Sequence, residues 1–246
     1  MIVEESDSRL AARLASEAGA LLLALQRSEE FTGKVLGDQG DSIANAFLMK
    51  ALRELRPGDA LLSEEETDNA QRLSAKRVWI IDPLDGTREY SEGRSDWAVH
   101  VALAINGIAT VGAVALPGLD VTLSSGAPPQ IAPANMLLKM VVSRTRPAAE
   151  ALAVAKTLGA DLLPMGSAGA KAMAVVRGEA DIYLHSGGQH EWDNCAPVAV
   201  AQAAGLHVSR LDGSPMRYNN QDTYLPDILI CRAELAEPIL RLTRLP

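Results

Sequence analysis

The chain has 246 residues, of which 48% are hydrophobic and 22% are charged, and its formal net charge is −8. The hydrophobic fraction excludes an intrinsically disordered chain, and the length allows one large domain or two small ones. The negative charge disfavours a general nucleic-acid-binding protein, because acidic side chains repel phosphate groups unless bound cations reverse the local charge.

The cysteine content and the N-terminal sequence indicate a cytoplasmic protein. The chain has two cysteines, Cys195 and Cys231, which are too few for a disulfide framework. Its N-terminus lacks the basic and apolar segments of a signal peptide, and no hydrophobic run reaches the length of a membrane span. We therefore expect a location in the cytoplasm and no contact with a membrane.

Hydrophobic periodicity in the first half of the chain predicts helices together with mostly antiparallel strands. Apolar residues recur at helical spacing over 7–26, which Ser6 or Asp7 can cap, and over 42–55. Short apolar runs predict strands at 60–62, 78–81, 97–105 and 108–116. Asn106-Gly107 separates the last two strands and favours a type I′ turn, because both central residues of that turn need a positive φ.

The second half predicts alternating strands and helices, which are typical of an α/β arrangement. Strands fit residues 138–143, 180–184 and 227–231, and helices fit 148–158, 168–177, 194–204 and 233–243. A segment with several prolines at 125–135 is the best candidate for a linker. We therefore expect an N-terminal α+β domain at 1–135 and a C-terminal α/β domain at 136–246.

Acidic residues stand at the predicted ends of strands and at the start of a helix. Glu64 follows one strand, Asp82 and Asp85 follow another, and Asp193 lies where a helix begins. Carboxylate, carbonyl and water oxygens are the ligands that Mg²⁺ prefers. A proline stiffens the turn after Asp82, so that Asp82, the Leu84 carbonyl and Asp85 can face common ions.

The two residues that follow, Gly86 and Thr87, fit a phosphate-binding turn. Glycine lets the backbone approach a ligand closely, and a helix that opens at Thr87 offers amide hydrogens to an anion. Divalent cations beside a phosphate ester are the elements of a hydrolytic site. Simpler interpretations also stand: a plain turn, a solvated run of glutamates, and a helix cap at Asp193.

Three ordered motifs resemble those of the inositol monophosphatase superfamily, the lithium-sensitive, Mg²⁺-dependent phosphatases. Residues 79–87, WIIDPLDGT, match its first signature without a departure. Residues 191–197, EWDNCAP, and the AAG at 203–205 match its second, although Leu206 stands where a second glycine is frequent. Ser63-Glu64-Glu65 matches a third element. The resemblance covers nearly the whole chain and implies a layered αβαβα sandwich of the inositol monophosphatase and fructose-1,6-bisphosphatase type.

The resemblance implies a set of ligands for two or three Mg²⁺ ions. These ligands are four carboxylates and one backbone carbonyl, contributed by Glu64, Asp82, Leu84, Asp85 and Asp193.

The resemblance also implies the catalytic groups. Thr87 together with Glu64 would orient and deprotonate the attacking water, and the amides of Gly86 and Thr87 would hold the phosphate. Asp41 stands where the superfamily has an acid that assists the threonine hydroxyl. The usual V-T-x-A-D at this place is replaced by GDQGD at 37–41, so Asp38 is an alternative for that role.

Other segments resemble the bacterial 3′-phosphoadenosine-5′-phosphate phosphatase branch of the superfamily, called CysQ. They are LSEE at 62–65, VVSR at 141–144, GSAGAK at 166–171 and DGSPMRY at 212–218. This similarity places Lys171 and Ser167 near the nucleotide, so the implied substrate contacts are Asp85, Gly86, Thr87, Ser167, Lys171 and Asp193. A solvated helix lysine is the alternative for Lys171. Further candidates for substrate contact flank the second motif: Tyr183, His185, His190 and Glu191. The alternative interpretation, which we favour for Tyr183 and His185, is the end of a strand without a chemical role.

The similarity to this branch implies a Mg²⁺-dependent phosphomonoesterase that removes the 3′-phosphate of adenosine 3′,5′-bisphosphate, a by-product of sulfate assimilation. The product is AMP, and the 5′-phosphosulfate PAPS is a further substrate that the resemblance admits. The alternatives are an inositol-1-phosphatase, a sugar phosphatase that includes fructose 1,6-bisphosphate among its substrates, and a non-catalytic acidic metal-binding scaffold. The partner expected is a small phosphomonoester, and whether the chain forms a homodimer stays open.

Overall fold

The structure, a computed structural model, describes residues 5–131, 133–134 and 136–243. The helices there are α1 (Asp7–Ser28), α2 (Gly33–Leu55), α3 (Thr87–Ser91), α4 (Ala149–Leu158), α5 (Ala168–Val176), α6 (Glu191–Ala203) and α7 (Ala233–Thr243). The strands are β1 (Ala60–Ser63), β2 (Arg77–Asp85), β3 (Ala98–Ile105), β4 (Ile108–Leu116), β5 (Val121–Ser124), β6 (Lys139–Ser143), β7 (Asp161–Met165), β8 (Ile182–His190), β9 (His207–Ser209) and β10 (Tyr224–Cys231).

The strands form two five-stranded mixed sheets. The first has the order β1-β2-β3-β4-β5, with β1 parallel to β2 and the other neighbours antiparallel. The second has the order β7-β6-β8-β10-β9, with β6 parallel to both of its neighbours. The antiparallel first half and the more parallel second half agree with the predicted change of pattern along the chain.

Hydrophobic clusters on both faces of each sheet stack the helices and sheets in five layers. Helices α1 and α2 cover the outer face of the first sheet, where Leu14 and Trp79 are fully buried. Helices α5 and α6 lie between the two sheets, and α4 and α7 cover the outer face of the second sheet. This is the αβαβα sandwich that the resemblance implied. The division into domains at residue 135 stays a prediction.

The structure confirms the predicted start of helix α1 and the predicted turn between β3 and β4. Helix α1 begins at Asp7 after Ser6, whose side chain accepts a hydrogen bond from the Arg9 amide. The hairpin between β3 and β4 turns at Asn106 and Gly107, which have φ values of 51° and 76°. Positive φ at both residues is the requirement of the type I′ turn that this dipeptide predicted.

Helix α2 begins at Gly33 and not near residue 42, so the predicted start was wrong by nine residues. Glycines at 33, 37 and 40 lower helix propensity and conceal the first turns from a sequence pattern. Packing explains one of them: a Cβ on Gly37 would lie 2.7 Å from Ser91 Oγ and from Thr87 Cγ2. Close approach between α2 and α3 thus outweighs the intrinsic preference of the glycines.

The second sheet contains more strand than the sequence predicted. Strand β8 runs from Ile182 to His190, beyond the predicted 180–184, because Gly187 and Gly188 adopt positive φ and resemble a chain break in the sequence. Tyr183 and His185 therefore lie inside a strand, and their interpretation as its end was wrong. The short strands β5, β7 and β9 were also missed, since each is too brief to show a period.

Two predictions reach outside the described residues. The predicted linker at 125–135 includes residues 132 and 135, and the N-terminal segment tested for a signal peptide includes residues 1–4. Within the described ranges, no helix combines the length and the apolar character needed to cross a membrane.

Candidate active site

A bulge in strand β2 turns Asp82 and Asp85 to the same face of the first sheet. Residues three apart on a regular strand point to opposite faces. Here Asp82 pairs with His100 and Asp85 pairs with Ala98, so β2 contains one more residue than β3 between these pairs. The extra residue lies at Pro83-Leu84, where proline has no amide hydrogen for the ladder. Both carboxylates are buried as a result.

Strand β1 places Glu64 at the same edge. Because β1 runs parallel to β2, their carboxyl ends meet, with Ser63 opposite Ile81. The Glu64 amide then donates to the Ile81 carbonyl at 3.2 Å. Glu64 thus follows β1 beside the level at which β2 carries Asp82, although its side chain remains exposed.

Helix α6 supplies the third carboxylate of a tight cluster. The predicted start of this helix at 194 was wrong: α6 begins at Glu191, so His190 caps it and Asp193 lies in the first turn. Asp193 Oδ2 accepts a hydrogen bond from the His190 amide at 2.5 Å. Oxygens of Asp82, Asp85 and Asp193 all lie within 4.8 Å of one another. We call these three residues the acidic triad.

The electrostatics of the site show that most of these carboxylates lack a compensating charge. Burial is the main cause that raises the pKa of Asp82 well above its usual range, followed by the charges of Glu64 and Asp85. Although Glu64 as a whole residue is exposed, loss of hydration at its carboxyl group and then the charges of Asp193 and Asp85 raise its pKa to about 7. Burial and Asp85 raise the pKa of Asp193 to about 6. Converging carboxylates of this kind fit the ligand set of a hard divalent cation.

Asp85 differs from its neighbours because it is held by hydrogen-bond donors. The amides of Ala168 and Gly169 at the start of α5 donate to its two oxygens at 3.1 and 2.5 Å. Burial alone would raise the pKa of Asp85, but His100 and the Gly169 amide outweigh it and hold the pKa below its usual range. Asp85 is therefore the fixed anion of the acidic triad.

His100 is a residue that the sequence reasoning missed. It is fully buried, with Nε2 3.2 Å from Asp85 Oδ2 and Nδ1 3.0 Å from the Trp192 carbonyl oxygen. Burial would lower the pKa of His100, but Asp85 raises it above the usual value. One signal was available: His100 is the one ionisable residue in the apolar strand β3, and a lone ionisable group in such a run needs a buried partner.

The Thr87 hydroxyl connects the acidic edge to helix α2. Its Oγ1 lies 3.3 Å from Asp41 Oδ2 and 3.2 Å from the Leu84 carbonyl oxygen. Burial and then Glu65 raise the pKa of Asp41 to about 7. Asp38 instead pairs with Lys34 at the surface, at 2.6 Å. The contact predicted for one of these two acids is thus made by Asp41.

A cleft of about 540 Å³ opens beside the acidic triad and is lined by five of the six predicted substrate residues. Its lining comes from α3, α5, β8 and the segment after β6 and includes Asp85, Gly86, Ser167, Lys171, Asp193 and Gln189. Ser167 is the cap of α5 and accepts from the Ala170 amide at 2.9 Å. Gly86 has φ 92°, and a Cβ there would come within 2.9 Å of Ser167 Cβ. Thr87 is not among the lining residues, although it adjoins Gly86.

Two cations lie along the cleft. Lys171 is buried and donates to the Gly166 and Ser167 carbonyls at 2.5 and 2.8 Å, so its interpretation as a solvated helix lysine was wrong. Arg146 is exposed and has no ion-pair partner among the residues that the structure describes. His185 also lines the cleft, but burial and the neighbouring Lys171 lower its pKa to about 4. Burial lowers the pKa of Lys171, and the remaining basic side chains of the cleft lining are Arg146 and Arg88.

Comparison with known sequences identifies relatives along almost the full chain. The model of the inositol monophosphatase family matches residues 5–244. A 3′-phosphoadenosine 5′-phosphate phosphatase from Mycobacterium leprae is 50% identical in an alignment of 258 positions, which spans 98% of this chain and 94% of the relative. The 3′(2′),5′-bisphosphate nucleotidase CysQ of Escherichia coli strain K12 is 32% identical over 197 residues, which cover 75% of this chain and 80% of the relative.

Comparison with solved structures supports the same fold. CysQ from Bacteroides thetaiotaomicron superposes with a TM-score of 0.78 at 24% identity, over 94% of this chain and 99% of that chain. An inositol monophosphatase from Anabaena superposes with a TM-score of 0.77 at 22% identity, over 97% of this chain and 96% of that chain. Since the sequence match and the fold agree along nearly the whole length, the chain belongs to the inositol monophosphatase family of metal-dependent phosphatases.

Proposed function

We propose that this chain is a Mg²⁺-dependent phosphomonoesterase that hydrolyses the 3′-phosphate of adenosine 3′,5′-bisphosphate to give AMP and phosphate, with PAPS as a further substrate. The observation that carries the proposal is the acidic triad, with oxygens within 4.8 Å, beside a cleft that contains Lys171 and Arg146. Relatives of half-identical sequence are named as phosphatases of this nucleotide.

The acidic triad, with Glu64 and the Leu84 carbonyl beside it, is the proposed ligand set for two or three Mg²⁺ ions. The chemistry of these donors fits, because three converging carboxylates in a largely buried site need a cation to neutralise them. When bound, Mg²⁺ would stabilise the negative charge of the phosphoryl oxygens and of the leaving 3′-oxygen.

The attacking water is proposed to be oriented and deprotonated by Thr87, Asp41 and Glu64. During hydrolysis the water oxygen bonds to phosphorus and loses a proton to these residues, the bond between phosphorus and O3′ breaks, and the leaving 3′-oxygen takes up a proton from solvent. The Asp41 and Leu84 contacts fix the position of the Thr87 hydroxyl, which is suited to orient that water. Burial and then Glu65 raise the pKa of Asp41 to about 7, which suits acceptance of a proton near neutral pH.

The cationic wall of the cleft is proposed to hold the second phosphate of the substrate. A 3′,5′-bisphosphate brings two separate anions, and the acidic triad with its cations accounts for one of them. Arg146 can offer its planar guanidinium to the other, since no carboxylate in the described ranges occupies it. Lys171, Ser167 and Gly86 remain proposed contacts, because they line the same cleft as Arg146, Asp85 and Asp193.

The alternative substrates differ in how many phosphates they offer to the cations of this cleft. Fructose 1,6-bisphosphate also carries two phosphates, so it is the second candidate substrate that the cations favour. Inositol 1-phosphate has no second phosphate for Arg146 to bind, so it gains less from the cationic wall. A non-catalytic scaffold has no need of a Thr87 hydroxyl held by two acceptors beside the metal ligands.

A phosphate-release assay on the purified protein tests the proposal. With Mg²⁺ we expect kcat/KM to be highest for adenosine 3′,5′-bisphosphate, lower for fructose 1,6-bisphosphate and lowest for inositol 1-phosphate. The Asp85→Asn variant, with the same salt and Mg²⁺, is the control for contaminating phosphatases. Equal or higher kcat/KM for inositol 1-phosphate would reject the substrate assignment, and no Asp85-dependent release from any substrate would reject the enzyme.

Other properties implied by the resemblance stay predictions of this proposal. They are inhibition by millimolar-range lithium, a cytoplasmic location and a part in sulfate assimilation. Whether two copies form a dimer is left to a measurement of mass in solution.

A further inference from the structure

His100 joins the two parts of the acidic triad that come from distant segments of the chain. Asp85 ends strand β2 in the first sheet, whereas Asp193 lies in the first turn of α6, more than 100 residues later. The His100 ring spans this junction from strand β3: Nε2 lies 3.2 Å from Asp85 Oδ2, and Nδ1 lies 3.0 Å from the carbonyl oxygen of Trp192. Trp192 is the residue directly before Asp193.

The orientation of the ring follows from its partners. A backbone carbonyl only accepts hydrogen bonds, so Nδ1 is the donor to Trp192. Apart from its contact with Asp85, Nε2 has no hydrogen-bond partner in the part of the chain that the structure describes. His100 thus has one firm anchor on α6 and one contact with a carboxylate of the acidic triad.

The packing around the ring leaves it little freedom. His100 is fully buried, and its neighbour Gly169 lacks the side chain that would displace it: a Cβ on Gly169 would lie 2.1 Å from His100 Nε2. The Gly169 amide meanwhile donates to Asp85 at 2.5 Å. The start of α5, the ring of His100 and the Asp85 carboxylate therefore form one close-packed unit.

We propose that His100 is a positioning residue that ties Asp85 to the first turn of α6 and so sets the separation of Asp85 and Asp193 for a single cation. The inference rests on the proposed function, because it assumes that the acidic triad holds a metal ion. Groups that orient metal ligands without touching the metal commonly account for a 10- to 100-fold difference in metal affinity.

Two substitutions separate the two contacts of the ring. In H100N the amide nitrogen takes the place of Nδ1 and can keep the bond to the Trp192 carbonyl, while the contact with Asp85 is lost. In H100Q the amide nitrogen reaches toward the place of Nε2 and can keep the contact with Asp85, while the anchor on Trp192 is lost. H207N is the matched control, because His207 lies in β9 and bonds Ser209, away from the acidic triad.

The experiment measures Mn²⁺ binding by calorimetry without substrate, then Mg²⁺ activation of phosphate release. We expect about a tenfold or larger rise in the Mn²⁺ dissociation constant for both H100N and H100Q, and a similar rise in the Mg²⁺ concentration at half-maximal activity. At saturating Mg²⁺ we expect kcat to recover to within about threefold of the original, with KM unchanged. In a variant that stays folded in EDTA, a purely structural role would leave the Mn²⁺ dissociation constant unchanged.

The outcomes distinguish this inference from the proposed function. If the unaltered protein binds no Mn²⁺, the proposed function fails. If it binds Mn²⁺ and a folded H100N or H100Q variant binds it within twofold as tightly, or if H207N loses as much affinity, the positioning role is overturned. If both His100 variants unfold in EDTA, G169A replaces them, since its Cβ displaces the ring; unchanged Mn²⁺ affinity in folded G169A would then overturn the role.

Discussion

The Thr87 hydroxyl lies 3.3 Å from the Asp41 carboxylate, which is carried by a helix 46 residues earlier in the chain. The same hydroxyl lies 3.2 Å from the Leu84 carbonyl oxygen, so Thr87 is held between helix α2 and the bulge of strand β2. This relationship depends on the glycine-rich start of α2, because a side chain at Gly37 would collide with Thr87. It connects the sequence departure at 37–41 directly to the chemistry of the site.

Asp41→Asn should lower kcat by about 100-fold, because the amide cannot take the proton that we assign to the contact with Thr87. KM and the Mg²⁺ requirement should change little, since Asp41 is not a member of the acidic triad. Steady-state phosphate release at saturating Mg²⁺ measures both effects.

Asp38→Asn is the matched control for Asp41→Asn. Asp38 lies one turn earlier on α2 and pairs with Lys34 at the surface, where an exposed ion pair contributes little. Its kcat should stay within about twofold of the original. A larger effect of Asp38→Asn than of Asp41→Asn would transfer the assisting role to Asp38.

Asp82→Asn should stabilise the metal-free protein, and Asp85→Asn should destabilise it. Burial and neighbouring carboxylates raise the pKa of Asp82, so removal of its charge should raise the free energy of unfolding by about 1–2 kcal/mol at pH 8. Asp85 accepts from two helix amides, and a neutral amide there should cost about 1–3 kcal/mol.

Urea unfolding in EDTA measures this difference between the two variants. Saturating Mg²⁺ should stabilise the unaltered protein but neither variant, because each lacks one carboxylate of the acidic triad. Destabilisation of the metal-free protein by Asp82→Asn would contradict the unneutralised charge that we assign to this site.

Mg²⁺ should bind more tightly as the pH rises from 6 to 8. The pKa values of Glu64 and Asp193 are raised to about 7 and about 6, so protons compete with the metal below neutral pH. A raised pKa in the folded state also means that the unfolded chain loses these protons first. The metal-free protein should therefore lose stability as the pH rises from about 4, the ordinary carboxyl value, through about 7.

Calorimetric titration with Mg²⁺ at pH 6, 7 and 8 tests the pH dependence. The dissociation constant should fall by about tenfold or more over this range, and binding at pH 6 should release protons into the buffer. A dissociation constant that does not change between pH 6 and pH 8 would show that these carboxylates are already ionised without metal.

Arg146→Gln should raise KM for adenosine 3′,5′-bisphosphate by about tenfold, which corresponds to about 1.4 kcal/mol. It should leave KM for adenosine 3′-monophosphate unchanged, because that nucleotide lacks the second phosphate. Arg241→Gln, an exposed arginine of α7 that pairs with Glu237, is the control for a general loss of positive charge. Equal effects on both nucleotides would place the second phosphate elsewhere.

The sequence predicted the elements that a local pattern of residues determines. Helix α1 has an apolar stripe with a serine cap, and Asn106-Gly107 permits one tight hairpin turn. The motif residues were recognised from their order along the chain. The fold was then inferred from the superfamily that the whole chain resembles. The separate ends of β1, β2 and α6 meet at one edge, as expected from that resemblance.

What the sequence could not predict depends on contacts between distant segments. The start of α2 is helical because Gly37 and Gly40 pack against α3, and propensity alone argues against it. The continuation of β8 past Gly187 and Gly188 is stabilised by pairing with β10, which no local pattern reveals. His100 had no motif, and its partners Asp85 and Trp192 are apparent only once three elements are packed together.

The central claim is that Asp82, Asp85 and Asp193 hold a common divalent cation beside a phosphate ester. A crystal of the protein grown with Mn²⁺ and phosphate tests it most directly, by the anomalous scattering of manganese. We predict an anomalous peak within about 2.0–2.6 Å of oxygens from all three carboxylates, with phosphate beside it. Carboxylates that point to separate places, or a peak that touches none of them, would contradict the claim.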